Sequence, residues 1–174
     1  MKKLILLGFS IVLFAACNQQ TKRYTQQSNE IDTYKQVIKD YENQNWESMA
    51  THYTDTAKIL NNVTEKNAQT VAQLVSQNKQ DATIFSSWNF VPEESEYEMV
   101  VTDKGETWVN FWGTWKCTLA ANNKEIEIPV HLTAQFIDGK IVREYGYWDN
   151  GPIILAIQEI EAAAKMAAAS FSDE

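Results

Sequence analysis

The chain has 174 residues, of which 23 are acidic and 15 basic, for a formal charge of −8. That balance, with no Lys/Arg cluster beyond the pairs Lys2-Lys3 and Lys22-Arg23, excludes a nucleic-acid partner, since a phosphate backbone needs a basic face. Its two cysteines, Cys17 and Cys117, and two histidines, His52 and His131, have no metal-site spacing, so no metal or cofactor is expected.

Residues 1–17 have a directional order. Lys2 and Lys3 are positive, residues 4–14 are apolar, and Ala15-Ala16 precede Cys17. The apolar run is too short to span a bilayer, which takes about 20 residues, so residues 1–16 are expected to be a cleavable export signal. Ending on a cysteine after small residues, the segment resembles a bacterial lipobox, with Phe14 where Leu is commonest. Cys17 is therefore the expected lipidation site, and the protein is expected to be anchored in the bacterial cell envelope, on the outer membrane facing the periplasm. Cleavage takes the formal charge from −8 to −10. Residues 17–29 are polar and read as a tether. Residues 30–174 suit one domain, whose single free thiol, Cys117, leaves it to stand on its core alone.

Within that domain, Ile31, Tyr34, Val37, Ile38 and Tyr41 recur at helical spacing over residues 31–41. Asn45 starts a second short helix with Trp46, Met49, Ala50 and Tyr53 on one face, followed by a brief extended piece at 55–59. A third helix is expected over 64–78, burying Ala68, Val71, Ala72 and Val75 with Leu74 at its edge. From residue 84 the pattern becomes β-branched and aromatic, broken by Asp103-Lys104-Gly105, Asn122-Asn123 and Asp138-Gly139. Strands are expected at 84–90, 96–102, 107–119, 125–137 and 140–149, then an amphipathic helix over 152–169.

Two-residue turns at Asn122-Asn123 and Asp138-Gly139 place Val109, Phe111, Gly113, Trp115, Cys117, Ile128, Val130, Leu132, Ala134 and Phe136 on one face with Ile141, Arg143, Tyr145, Tyr147 and Asp149. Trp108, Trp112, His131, Glu144 and Trp148 then take the other face. A bulged turn would instead set His131 opposite Tyr145.

Helices followed by antiparallel strands, the segment Trp46-Glu47-Ser48-Met49-Ala50-Thr51-His52-Tyr53-Thr54-Asp55-Thr56-Ala57, and Asp138-Gly139-Lys140-Ile141-Val142 leading to Tyr147-Trp148-Asp149 together resemble the SnoaL-like branch of the nuclear transport factor 2-like superfamily. The likeness covers roughly residues 32–158. It implies an α+β, cone-shaped domain: three N-terminal helices packed on a strongly curved antiparallel sheet, a C-terminal helix, and a pocket at the wide end. It implies Asp149 as the general base of a proton-transfer site, with Tyr145 or Tyr147 donating to an enolate oxygen and Arg143 holding an anionic group. Asp149-Asn150-Gly151-Pro152 is equally a helix-start signal. The expected ligand-facing set is Tyr34, Tyr53, Phe111, Trp115, Arg143, Tyr145 and Tyr147.

The leading expectation is a non-catalytic domain binding a small apolar or aromatic molecule, or an envelope protein. The alternatives are an isomerase, cyclase or hydratase using Asp149, and a structural dimerisation module with a filled pocket. A homodimer would pair through the outer sheet face, where the resemblance implies a contact. The anchor is testable directly: Cys17→Ser should abolish incorporation of labelled fatty acid and move the protein from the membrane to the soluble fraction, and unchanged labelling would remove Cys17 as the lipid site.

Overall fold

A computed structural model describes residues 23–172; the expected export signal, Cys17 and the start of the expected tether lie outside them. The chain runs through β1 (Tyr24–Thr25), α1 (Asn29–Glu42), α2 (Trp46–Thr51), β2 (Tyr53–Asn61), α3 (Val71–Asp81), β3 (Phe85–Phe90), β4 (Glu96–Val101), β5 (Thr107–Leu119), β6 (Glu125–Ile137), β7 (Lys140–Trp148) and α4 (Gly151–Ser172).

The tether expectation gives way over its second half. Tyr24 and Thr25 pair with Val100 and Met99 of β4, the Arg23 guanidinium meets Asp103 at 2.7 Å, and Ser28 caps α1 by accepting the Ile31 N–H at 3.2 Å. Helix α1 buries Ile31, Tyr34, Val37 and Ile38, as its spacing predicts, together with Asp40. Asp40 ties α1 to α2: it accepts from Ser48 Oγ at 2.7 Å and Gln36 Nε2 at 2.9 Å, and lies 3.3 Å from His52 Nε2. Burial would raise its pKa, but the Ser48, Gln36 and His52 contacts outweigh that and hold it below the usual carboxylate value.

Helix α3 starts later than its hydrophobic spacing suggests. Thr70 and Gln73 form a reciprocal capping box that fixes the start at Val71; Glu65–Asn67 is a separate 3-10 turn. Leu74 is the buried residue of α3, while Ala72 is exposed.

The strands form one mostly antiparallel sheet, curled and unclosed, in the order β1-β4-β5-β6-β7-β2, with β3 also paired to β5. The expected extended piece at 55–59 is part of a nine-residue strand, β2, which pairs with β7 in parallel. The long excursion between them permits that direction. Past the end of β2, Asn62 prolongs the pairing with its side chain, donating to Trp148 O at 2.9 Å and accepting from Trp148 N at 3.2 Å.

Between β5 and β6 the loop is two residues longer than expected, with Thr118 opposite Glu125. An even shift leaves the faces unchanged. Between β6 and β7 the register slips: Ile137 faces Lys140 and Phe136 faces Ile141, but Gln135 faces Arg143. Val142 is the unmatched residue of a β-bulge. The inner face of β7 is therefore Ile141, Glu144, Gly146 and Trp148, and the expected inward placement of Arg143, Tyr145 and Tyr147 is corrected. Opposite His131 stands Tyr147, not Tyr145.

On the outer face the rings of Trp112 and His131, His131 and Tyr147, and Tyr145 and Tyr147 lie within 25° of parallel. On the inner face Phe111 meets Phe90 edge-on at 4.9 Å and is fully buried. The first three turns of α4 rest on the core through Ala156, with Ile153 and Ile160 partly buried; residues 161–170 are exposed.

The two faces should respond differently to truncation. Phe111→Ala should cost about 3–5 kcal/mol of unfolding free energy. Tyr147→Ala, on a residue 52% exposed, should cost no more than about 0.5–1 kcal/mol. Urea midpoints measure both, and a large loss at Tyr147 would place it inside.

Candidate functional site

The bulge turns Glu144 into the interior, where α1 and β2 supply its partners. On β7, Glu144 stands between Ala134 of β6 and Ile59 of β2, and it is only 5% exposed. The Tyr34 hydroxyl donates to Glu144 Oε2 at 3.0 Å and the Tyr53 hydroxyl donates to the same oxygen at 2.9 Å. Both tyrosines are buried, and the Tyr34 ring sits edge-on to Phe136.

Burial pushes the Glu144 carboxyl up to a pKa of about 6, against the pull of the two hydroxyls, which favour its ionised form. Burial and the nearby Glu144 charge hold both tyrosines well above their ordinary value, so they remain donors.

Glu144 lines a cavity of about 410 Å³ between the helices and the inner face of the sheet. Its walls are mainly apolar: Val37 and Ile38 from α1, Leu74 from α3, Phe90 and Trp115 from β3 and β5, and Ile128 from β6. At the end of β7, Trp148, Asn150 and the first turns of α4 complete it. Gly146 leaves the space that this wall needs, since a Cβ there would lie 2.5 Å from Trp148 Cζ3 and would also strike Asn61 Oδ1. The second carboxyl of the lining is Asp81, at the end of α3, raised by burial against a hydrogen bond from Gln77.

Of the sequence-predicted residues, Tyr34, Tyr53 and Trp115 meet at this cavity. Phe111 lies behind it in the core. Arg143 is on the outer face, its guanidinium 2.6 Å from Glu65 and 3.1 Å from the Tyr145 hydroxyl, and Tyr147 stacks on the far side of Tyr145 on that face. Asp149 is exposed and accepts the Gly151 N–H at 2.8 Å, the helix-start arrangement; it is outside the cavity lining. Cys117 is buried, and burial pushes its thiol up to about 11. Among the described residues no group of three or more His, Cys, Asp or Glu is placed to hold a metal. No helix among them is long and apolar enough to cross a membrane.

Spacing and register overlooked Glu144, Asp81 and Trp148. Glu144 lies between Arg143 and Tyr145, which alone reads as an exposed stretch. The adjacent apolar pair Ile141-Val142, which breaks strict alternation, was the available sign of a change of phase.

No family model matches the sequence, and no curated protein matches it. Solved structures do. A SnoaL-like polyketide cyclase from Agrobacterium tumefaciens C58 aligns over 75% of this chain and 99% of its own, with a TM-score of 0.56 at 14% identity. A candidate polyketide cyclase from Xanthomonas campestris aligns over 75% and 98%, with a TM-score of 0.60 at 11% identity. An NTF2-like protein of unknown function from Burkholderia pseudomallei K96243 aligns over 74% and 96%, with a TM-score of 0.57 at 12% identity. The chain has the NTF2-like fold. At these identities the likeness is one of architecture, and the chemistry of this NTF2-like domain has to be read from its own cavity.

Glu144 gives that cavity a pH signature. Its pKa rises from an ordinary 4.5 to about 6 on folding, so the folded state holds the proton more tightly and gains stability below pH 4.5. That gain is lost as pH rises through 6, a loss of about 2 kcal/mol between pH 4 and pH 7.5. Urea unfolding of the wild type against Glu144→Gln across this range should show the difference; parallel stability curves would mean that Glu144 is not buried as described.

Proposed function

We propose that this chain is a lipid-anchored envelope protein whose NTF2-like domain binds a small, largely apolar, ring-bearing molecule in the cavity, and that the domain binds without turnover. The observation that carries this reading is the buried carboxyl of Glu144 in an otherwise mainly apolar cavity, with both tyrosine hydroxyl protons committed to it. Binding cavities commonly combine apolar walls with a few oriented polar groups. The committed protons also count against catalysis at this point. Proton abstraction next to a carbonyl needs a donor for the developing oxyanion, and neither hydroxyl is free to be one while Glu144 is ionised. The anchor rests on the order of residues 1–17.

A second reading is favoured by the Glu144 pKa of about 6, close to where a general base works best. In it, Glu144 takes a proton from a carbon acid, as an isomerase or cyclase would require. Fold neighbours named as polyketide cyclases make that chemistry a sensible one to assay.

A thermal-shift screen of aromatic, steroid-like, polyketide-like and carbohydrate compounds separates these readings. A ligand at about 100 times its Kd should stabilise the protein by about 2.7 kcal/mol, which is a rise of several degrees in Tm, and Glu144→Gln should reduce it. Each hit is then incubated in deuterated water. Deuterium entering the ligand with the wild type but not with Glu144→Gln would establish the catalytic reading. A library without a single shift would favour a filled, structural module.

A further inference from the structure

The two hydroxyls that reach Glu144 face a ligand as acceptors. Tyr34 and Tyr53 have given their protons to Oε2, so each hydroxyl offers a ligand only oxygen lone pairs. Among the described residues no protein group donates to Glu144 Oε1. Asn61, whose residue pairs with Gly146 one step along β7 from Glu144 on the inner face, adds a buried oxygen, Oδ1, that has no hydrogen-bond partner.

The charge of the lining is equally one-sided. Glu144 and Asp81 are its two carboxyls, and the described lining contains no Lys, Arg or His. The ion pairs formed by Arg143 and Lys58 with Glu65 lie elsewhere, at exposed positions. A buried carboxylate without a counter-ion is costly, and a ligand bringing positive charge would offset that cost where a carbonyl or carboxylate would meet lone pairs. The remaining walls suit such a ligand, since Tyr41, Phe90, Trp115 and Trp148 present aromatic rings and organic cations are attracted to ring faces. Donors do occur in the lining, the Trp115 indole N–H and the neighbouring Tyr41 hydroxyl; Trp115 is on β5, a strand separated from β7 by β6.

Resting on the binding reading above, we propose that the cavity takes a protonated organic amine, its ammonium group hydrogen-bonded to Glu144 and its apolar body against the aromatic and aliphatic walls. The overall acidic charge would favour the approach of such a cation.

Three probes with the same ring and similar length test this on the full chain as purified from cells: phenylpropylamine, phenylpropanol and phenylpropionate, followed by calorimetry at pH 7.5. The amine should bind at least about tenfold more tightly than the alcohol, and the carboxylate most weakly. Glu144→Gln should erase the advantage of the amine over the alcohol. With the wild type alone, lowering the pH from 7.5 to 5 should weaken the amine severalfold as Glu144 takes up its proton, and leave the alcohol unchanged. This second measurement holds whether or not the variant folds. Saturable binding of the alcohol or the carboxylate as tight as that of the amine would overturn the amine assignment and keep the cavity as a binding site. Failure of all three to bind saturably would overturn both.

Discussion

Between Phe136 and Gln135 of β6 the facing strand β7 fits in one residue too many, Val142, and every side chain beyond it changes sides. Without that slip the interior would receive Arg143, Tyr145 and Tyr147; with it, the interior receives Glu144, Gly146 and Trp148. The contribution of β7 to the cavity, a carboxyl, a glycine gap and a tryptophan wall, follows from one unmatched residue. A bulge beside a site re-aims a side chain without disturbing the rest of the sheet, and here the pairing on either side of Val142 continues in regular register.

The sheet then has to accommodate an acid in its core. Two tyrosines from separate elements, Tyr34 from α1 and Tyr53 from the start of β2, converge on one oxygen of Glu144. Their hydrogen bonds satisfy part of the demand of a buried carboxylate, and they link helix, edge strand and central sheet through a polar contact that demands particular geometry. The opposite pulls of burial and hydrogen bonding put its half-ionisation near pH 6, within reach of a change of partner that would change its charge.

Much of the architecture was legible from spacing. The strands at Thr107–Leu119 and Glu125–Ile137 could be bounded because alternating aromatic and β-branched residues end in turn-forming pairs, and the buried stripe of α1 follows a clean helical period. The start of α3 was written in the Thr70-to-Gln73 capping pair, a local signal stronger than the weak apolar period around Ala68 and Ala72. The phase of β7 was harder to read. No glycine or proline marks the bulge, and Arg143, Tyr145 and Tyr147 look like the binding side of an aromatic strand. Asp149 is the carboxylate at the end of the last strand, the place a family resemblance points to, whereas the acid that β7 sends into the cavity is five residues earlier.

The pinned N-terminal edge would set a length scale for the protein if it is anchored as proposed. Arg23 is held at both its backbone oxygen and its side chain, by the Val101 N–H at 2.8 Å and by Asp103, so the described domain begins at a fixed point on the β1–β4 edge. For a lipid on Cys17, the peptide between anchor and fixed point can reach about 20 Å when fully extended. That is a short leash. It would keep the sheet edge close to the lipid headgroups and let the domain sample only a thin layer of solution, so whatever the cavity binds would be gathered at the bilayer surface.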